Sequence, residues 1–411
     1  MSSKVIIIFL LIELACISSF AQEDFEFKRY NVEQGLSHTH VLSIAQDTMG
    51  YLWVGTYNGL NKFDGKNFTT YLTDPNDSTS IPSNIVHDIY VDKKGILWFL
   101  TELGFCSYNR NEDNFRNYKM QPPENYEDTY RHIRSMARDS SGNLWLGTYR
   151  SGLLKYNIKE DNYTWYQHDS ANANSITSNK INRILIDTEE RLWICHEFGN
   201  LSYINLRNMQ ITKFANCFEG RENYYEANQV DNKTFPCVNT NVISGIHQDS
   251  NQDFWISTWS SGFAKYNKSN NEFEYFVPKS QNIEGTYLLT VRDLISIDEK
   301  LIVGSFGGGI SIFNKHNKKF QSYYQKSESN TSLSQNLVWK LFIDNTNNLW
   351  VGTFEGGLNM TPLNKLQSPL FAGFLNEETN IENVISTLED HENNVWIGNQ
   401  EYLGLITRIN Q

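Results

Sequence analysis

Cysteine, long apolar runs and surplus positive charge are all scarce in this sequence of 411 residues. None of its five cysteines has the paired CxxC spacing of a zinc site. Beyond the N-terminal segment, no stretch is long and apolar enough to span a membrane. Lysine and arginine number 35 against 47 aspartates and glutamates, which gives a formal net charge of −12. Because an extended polyanion would be repelled by this charge, we exclude nucleic acid as a partner.

The one long apolar segment lies at the N-terminus and has the features of a secretory signal. Lys4 supplies the positive charge, an apolar stretch follows, and small residues stand before a plausible cleavage site. We therefore predict a signal peptide at residues 1–21 and a mature chain of residues 22–411, periplasmic or secreted and without a membrane anchor. The alternative is a lipoprotein anchored through Cys16, although Glu13 fits a lipobox poorly.

What the sequence has in abundance is one repeated pattern. An Asp lies six residues before a Trp in seven places, and Ile302 stands at the Trp position of an eighth, degenerate copy. These Trp positions are 53, 98, 145, 193, 255, 302, 350 and 396, at intervals of 45, 47, 48, 62, 47, 48 and 46 residues. A period of this length is typical of propeller or solenoid arrays.

Each unit predicts four short strands. In the first unit the segments are Val41 to Ala45, Tyr51 to Gly55, Leu60 to Phe63 and Phe68 to Tyr71, separated by turns rich in Asp, Asn and Gly. Four strands per repeat make one propeller blade, so the predicted fold is an all-β β-propeller of four-stranded blades with eight repeats. The alternative is a seven-bladed ring plus one extra blade.

We interpret the repeated Asp, Gly and Trp residues as structural. Asp can accept hydrogen bonds from its own turn, Gly can adopt positive φ, and Trp provides a large apolar wedge between blades. One Asp per blade spreads the carboxylates around a ring instead of gathering them on one ion. The sequence therefore predicts no metal site and no cofactor.

The two ends of the chain bear on how the ring closes. The last repeat offers three strands, and a strand-like segment from Phe25 to Val32 precedes the first repeat. We expect this segment to supply the missing outer strand of the last repeat, which leaves no open edge and gives eight blades. The competing count is a seven-bladed ring followed by the first blade of something truncated.

The long fourth interval contains an insertion, residues 215–240, that holds Cys217 and Cys237. A loop without its own core gains from a crosslink in an oxidising compartment, so we predict a disulfide between these two residues. Cys106 and Cys195 lie in predicted blade strands, where we expect them to be small buried apolar residues.

A candidate binding site follows from the turns between second and third strands, which open on one face of a propeller. Aromatic rings beside charged or amide groups suit a sugar, since its apolar face stacks while its hydroxyls form hydrogen bonds. We predict that part of this ring of turns binds a glycan or a protein partner. The candidate ligand-binding residues are Tyr57, Glu102, Tyr149, Arg150, His196, Trp259, Phe354, Glu355 and Tyr402. We predict no catalytic residue, because His196 and Glu197 have no nucleophile at a recognisable spacing.

The repeats resemble a known family, the two-component regulator propeller repeat. The resemblance rests on Gly35–Ser37, Gly50–Thr56 and Gly59–Asn61, and on polar linkers such as Ser80–Asn84. It implies a sensor, because such repeats typically form the periplasmic part of hybrid two-component sensors in Bacteroides-like bacteria. Those sensors detect oligosaccharides and switch on polysaccharide-utilisation genes.

The resemblance also sets the expected partners. Such sensors usually add a second seven-bladed propeller, a further β-domain, a transmembrane helix, a histidine kinase and a receiver, which this sequence does not contain. We therefore expect a sensing domain that is not an enzyme and that works with a membrane sensor kinase or a second propeller, or else the N-terminal part of a larger sensor. Two other hypotheses remain: a protein-interaction propeller without a small ligand, and a propeller lyase or glycosidase.

Overall fold

The computed structural model of the chain divides into two compact units, Met1–Thr361 and Pro362–Gln411. The structure describes residues 25–121, 123, 132–217, 231–240, 242–278 and 290–363, and the backbone of three strands further on. The predicted signal peptide lies outside the described residues. Among those that are described, no helix has the length and apolar character needed to cross a membrane.

Seven antiparallel sheets make up the described part of the first unit, and we number them as blades 1 to 7 in chain order. Blade 1 contains Val41–Gln46, Leu52–Thr56, Gly59–Phe63 and Phe68–Tyr71, and blade 2 contains Val86–Val91, Leu97–Thr101, Gly104–Asn109 and Asn114–Tyr118. Blade 3 contains Ile133–Arg138, Leu144–Thr148, Leu153–Asn157 and Asn162–Tyr166, and blade 4 contains Ile181–Ile186, Arg191–His196, Leu201–Asn205 and Gln210–Lys213.

The remaining blades follow the same order of strands. Blade 5 contains Ile243–Gln248, Phe254–Thr258, Phe263–Asn267 and Glu272–Phe276, with Thr234–Phe235 added at its outer edge, and blade 6 contains Val291–Ile297, Lys300–Ser305, Gly309–Asn314 and Phe320–Tyr323. Blade 7 contains Val338–Ile343, Asn348–Thr353, Leu358–Pro362 and the N-terminal strand Lys28–Tyr30. Within the described residues, short 3-10 helices lie at Val32–Gln34 and Glu197–Gly199.

The repeated Asp–Trp pair holds the first hairpin of every blade but one. In six blades the indole N–H of the Trp donates to the carboxylate of the Asp six residues earlier, at 2.7–3.3 Å. The same carboxylate accepts backbone N–H groups of the turn, as Asp47 does from Met49 and Tyr51. Blade 6, whose hairpin is fully described, lacks the pair. There the two strands are joined by the two residues Asp298 and Glu299, which leaves no room for the longer Asp turn.

The hydrophobic core lies between successive blades. Trp53 is fully buried, and its ring centroid lies 5.3 Å from that of Phe99 and 4.7 Å from that of Tyr108, both in blade 2. The equivalent Trp193 of blade 4 lies 4.7 Å from Phe254 of blade 5. Each Trp therefore acts as the wedge between blades that the sequence predicted.

The ring closes at blade 7, so the prediction of eight blades is wrong. The N-terminal strand pairs with Leu358–Pro362, with Tyr30 opposite Leu358, and is the outer strand of blade 7 instead of the eighth repeat. Blade 7 already packs directly on blade 1, because a Cβ on Gly352 would lie 2.5 Å from a methyl group of Val41. The chain that leads into blade 1 therefore reaches the open edge of blade 7.

The eighth repeat forms a sheet of its own in the second unit. Its described strands, Ser386–Glu389, Val395–Gly398 and Leu403–Ile406, pair as an antiparallel three-stranded sheet. The described residues thus agree with the alternative count, a seven-bladed ring plus one extra blade.

The insertion adds a fifth strand to blade 5 and contains the predicted disulfide. Thr234–Phe235 pairs with Glu272–Phe276 as a fifth strand. A disulfide joins Cys217 to Cys237, whose Cα atoms are 5.7 Å apart. Cys106 and Cys195 are free and fully buried in blade strands, and burial raises the pKa of both thiols, so neither is poised as a thiolate.

Ring closure can be tested at Tyr30, which is buried between blades 7 and 1. Its ring stacks on Trp350 at 5.8 Å and meets the ring of Phe63 edge-on at 5.2 Å. We expect Tyr30→Ala to lower the free energy of unfolding by about 3 kcal/mol, because it empties a packed site at the seam. Urea denaturation measures the change. The exposed Thr69→Ala on blade 1 is the control and should stay within about 0.5 kcal/mol of wild type; equal values for the two variants would contradict the closure.

Candidate functional site

The first strand of each blade, which we call the inner strand, begins with a β-bulge that turns one side chain toward the ring centre. In blade 1, Val41 pairs with Thr56 of the second strand, and Ser43 pairs with Gly55. Leu42, which lies between them, therefore has no pairing partner on that strand. The same shift recurs in the other six blades. The seven unpaired residues are Leu42, His87, Arg134, Asn182, Ser244, Arg292 and Trp339. A bulge re-aims its side chain, and all seven line one central cavity of ≈ 350 Å³.

A second ring of residues surrounds the mouth of this cavity. In each blade the residue that follows the second strand donates its backbone N–H to the carbonyl just before the inner strand, at 2.9–3.2 Å. These residues are Tyr57, Glu102, Tyr149, Glu197, Trp259, Phe306 and Phe354. Because the hydrogen bond joins the turn to the start of the bulged strand, both rings lie on the same face of the propeller.

A buried Thr fixes this turn in most blades. The hydroxyl of Thr56 donates to the carbonyl of Gly59 at 2.9 Å, and Thr101, Thr148, Thr258 and Thr353 make the same bond to the glycine that follows them. The hydroxyl ties the end of the second strand to the start of the third. The residue after the Thr is therefore held outward, toward the cavity mouth.

The structure brings most of the predicted ligand-binding residues to this face. Tyr57, Tyr149 and Trp259 line the cavity, and Tyr57 and Trp259 are 43% and 42% exposed. Glu102 and Phe354 occupy the same turn position in blades 2 and 7. Arg150 and Glu355 are exposed residues directly after Tyr149 and Phe354. Tyr402 lies outside the described residues.

His196 is not placed at the cavity mouth. It is the last residue of the second strand in blade 4, is fully buried, and lies 3.0 Å through its Nε2 from the hydroxyl of Ser202. It occupies the position that Thr148 and its equivalents hold in other blades. The turn position belongs to the next residue, Glu197, which lines the cavity.

Sequence reasoning missed the bulged residues entirely, although the aligned repeats carry a signal for them. The first residue of each inner strand is Val or Ile and is fully buried in all seven blades. The second residue changes from blade to blade among Leu, His, Arg, Asn, Ser and Trp. When the residue at one position varies in size and charge from blade to blade, and the residue before it is always Val or Ile, core packing does not dictate the variable side chain.

Glu102 holds two histidines in a compact polar group. One carboxylate oxygen lies 2.6 Å from Nε2 of His87 and the other lies 2.6 Å from Nε2 of His132. The bond from His87, together with the charges of His132 and Arg134, lowers the pKa of Glu102 despite partial burial. Glu102 is therefore ionised at neutral pH and accepts from both rings.

The same three residues could hold a metal ion, since their donor atoms lie within 4.8 Å of one another. Two imidazole nitrogens and a carboxylate oxygen suit zinc or iron by donor type. Two observations oppose a divalent cation there: both carboxylate oxygens already accept hydrogen bonds, and the positive charge of Arg134 acts on the group. The geometry of these three residues therefore favours a hydrogen-bonded group over a metal site.

The floor of the cavity carries two ion pairs. Arg183 of blade 4 reaches across to Asp88 of blade 2 at 2.9 Å, and Lys340 of blade 7 lies 2.9 Å from Asp293 of blade 6. The charge of Asp88 is the largest cause that raises the pKa of Arg183. These pairs join inner strands to one another and leave their charges largely balanced.

Two further arginines on the cavity wall are stacked on aromatic rings. The guanidinium of Arg134 lies 4.0 Å from the ring centre of Tyr149, and that of Arg292 lies 3.8 Å from the ring centre of Trp339. Cation–π contacts of this kind orient a guanidinium without satisfying its N–H donors. The cavity therefore combines aromatic faces, hydrogen-bonding groups and cationic donors.

Comparison with known proteins agrees with the repeat and the fold. Four segments, residues 35–58, 80–102, 129–150 and 332–355, match the family model described as two component regulator propeller. Each matched segment contains the bulged residue and the turn residue of one blade.

One curated relative, Histidine kinase P4 of Formosa agariphila, is 26% identical to this chain over an alignment that covers 98% of the chain and 38% of the relative. The chain thus spans about 38% of that protein's length.

Solved structures share the fold. The extracellular domain described for a hybrid two-component system of B. thetaiotaomicron is 24% identical with a TM-score of 0.65, covering 93% of this chain and 48% of that one. Virginiamycin B lyase from Staphylococcus aureus is 12% identical with a TM-score of 0.59, covering 82% of this chain and 99% of that one. At these identities the likeness shows the propeller fold alone.

The buried His196 predicts an acid-sensitive stability. Burial lowers the pKa of His196 to about 3, whereas an imidazole in the unfolded chain binds a proton below about pH 6.5. Because the unfolded state then binds more protons, stability falls as the pH drops from 6.5 toward 3. From pH 7 to pH 5 this residue alone should remove about 2 kcal/mol.

Urea denaturation of His196→Thr at the two pH values tests this expectation. Thr is the residue that five other blades have at this position, so the variant should lose less stability on acidification than wild type does. His316→Thr, which replaces an exposed histidine, is the control and should keep the wild-type slope. An unchanged slope in His196→Thr would refute the assignment.

Proposed function

Because the chain carries repeats of the two-component regulator propeller family, we propose that it is the ligand-sensing domain of a two-component signalling system. We further propose that its ligand is an oligosaccharide, bound at the central cavity. The observation that carries the proposal is the cavity itself, where Tyr57, Tyr149, Trp259 and Trp339 present aromatic rings beside polar side chains.

The chemistry of the lining supports a sugar. Aromatic faces favour the apolar side of a pyranose ring. The bulged residues Asn182, Ser244 and His87 also line the cavity, and beyond the hydrogen bonds that they make to Ile243, Val291 and Glu102 their amide, hydroxyl and imidazole groups have further hydrogen-bonding capacity for its hydroxyls. A volume of ≈ 350 Å³ falls within the usual range for small-molecule sites. The proposal assigns binding to this cavity and no catalytic step.

The signalling partner in this proposal is a histidine kinase. Support comes from the curated relative, which is named a histidine kinase and extends well beyond the region aligned with this chain. A membrane sensor kinase or a second propeller would receive the signal. The Cys217–Cys237 disulfide supports a periplasmic or secreted location, because such bonds persist in oxidising compartments.

A thermal-shift screen tests the proposed ligand. A compound that binds only the folded state raises the melting temperature in a concentration-dependent way, so we expect at least one oligosaccharide from a panel of neutral and acidic sugars to do so. The absence of a shift with every sugar, in a folded sample, would contradict the proposal.

The site is tested with two aromatic variants. We expect Trp259→Ala and Tyr149→Ala each to weaken binding of the selected sugar roughly tenfold or more, because a lost stacking contact is worth about 1.4 kcal/mol or more. Isothermal titration calorimetry measures the change. Trp165→Ala, on the outer strand of blade 3, is the control and should bind as wild type. Equal affinity in all four proteins would move the site elsewhere.

A further inference from the structure

The central cavity holds two arginines that differ from its other strong cations in having no carboxylate partner. Arg183 and Lys340 each lie 2.9 Å from an aspartate. Arg134 and Arg292 form no ion pair with any residue that the structure describes. Both are bulged residues, so the backbone aims both side chains into the cavity.

Arg292 is held between two aromatic side chains. Its guanidinium lies 3.8 Å from the ring centre of Trp339 and 5.6 Å from that of Trp259. Burial is the largest cause that lowers its pKa, and the charges of Arg134 and Arg183 add to the effect. Desolvation and these cations together outweigh the negative charge of Asp293, which acts in the opposite direction, so the site disfavours the charge of Arg292.

Arg134 lies on blade 3, and burial is the largest cause that lowers its pKa as well. Its Nε is buried without a hydrogen-bond partner among the described residues, and its guanidinium rests on Tyr149 at 4.0 Å. The charges of Glu102 and Glu197 favour the cationic form of Arg134, yet neither forms an ion pair with it: Glu102 binds two histidines, and Glu197 accepts from the hydroxyl of Tyr149 at 3.4 Å and lies 3.7 Å from Lys180. A buried N–H donor without an acceptor is unfavourable, so an arriving acceptor would gain the full hydrogen bond.

We propose that Arg134 and Arg292 bind an anionic group of the ligand, and that the ligand is an acidic oligosaccharide carrying a carboxylate or a sulfate. This inference rests on the proposed function and narrows its ligand class. An oxyanion would supply the acceptors that both guanidinium groups lack, in a cavity where charge-assisted hydrogen bonds are strong.

The arrangement also explains why arginine and tryptophan occur together on this wall. A guanidinium offers several N–H donors in a plane, which matches the oxygens of a carboxylate or sulfate, and its flat face remains stacked on Trp339. Trp259, 42% exposed, remains available for the ring of the same sugar. One sugar unit can therefore contact both the arginine and the tryptophan.

The anion site is tested first with inorganic sulfate. At constant ionic strength, we expect sulfate in place of chloride to raise the melting temperature of the full chain in a saturable way. Arg292→Gln and Arg134→Gln should weaken this effect at least tenfold. Arg116→Gln is the matched control, because Arg116 also lies over a tyrosine, Tyr118, at 5.1 Å but is exposed on an outer strand. No sulfate-specific shift, or the same shift in Arg292→Gln and wild type, would overturn the proposal.

The sugar is tested with matched acidic and neutral probes. Calorimetry compares α-1,4-trigalacturonate and lactose 3′-sulfate with their neutral counterparts, α-1,4-galactotriose and lactose. We expect an acidic member to bind at least tenfold more tightly than its neutral partner, and Arg292→Gln to abolish the difference. Equal binding of acidic and neutral sugars would overturn this inference while leaving oligosaccharide sensing intact. Arginine-dependent sulfate binding with no sugar binding would overturn the sugar as the source of the anion, and with it the proposed function.

The ligand-free protein offers a check that does not depend on choosing a probe. Because Arg292 is charged where its surroundings disfavour charge, Arg292→Met should melt at the same temperature as wild type or several degrees higher. Arg183→Met, which leaves Asp88 without its partner, should melt several degrees lower. A marked loss of stability in Arg292→Met would show that the arginine serves the fold, and would overturn its assignment to a ligand.

Discussion

A carboxylate at the first hairpin of six of the seven blades is the interaction on which the ring depends. Asp47 accepts the backbone N–H groups of its turn, the indole N–H of Trp53 and a guanidinium N–H of Arg110 from blade 2. Asp92 is bound in the same way by Arg138 of blade 3. Burial by itself would raise the pKa of Asp92, but these hydrogen bonds outweigh it and lower the pKa. One side chain thus shapes the turn, positions the wedge and reaches the next blade.

Because these residues fix the hairpins, the residues on one face of the propeller can vary in type. Asp, Trp, Thr and Gly fix the hairpins and the packing between blades, while the bulge and the turn place two side chains of each blade on the face that bears the cavity. The released residues differ from blade to blade, whereas the structural ones recur. A scaffold of this kind can change its ligand by substitution at the bulges and turns without disturbing the core.

The charged groups of the cavity differ from those of the hairpins in how fully the protein satisfies them. The hairpin carboxylates have all their acceptors engaged within the protein, as expected of groups that serve stability. Arg134 keeps its Nε donor without an acceptor among the described residues, and its charge lowers the pKa of Arg292, so the two arginines lack the balance that the hairpin carboxylates have. Uncompensated charge of this kind is typical of functional sites, where a ligand completes the balance.

The sequence by itself determined the blades and much of the cavity mouth. The Asp–Trp spacing and the turn residues are local patterns, so the strands, the wedges and the positions of Tyr57, Tyr149 and Trp259 could be predicted from them. Only the tertiary structure decided that the N-terminal strand completes the seventh blade, because Tyr30 packs between Trp350 and Phe63, residues far apart in the chain. Only the tertiary structure also revealed the central arginines. A β-bulge shifts the register of the inner strand against its neighbour, and this shift changes the direction of the bulged side chain.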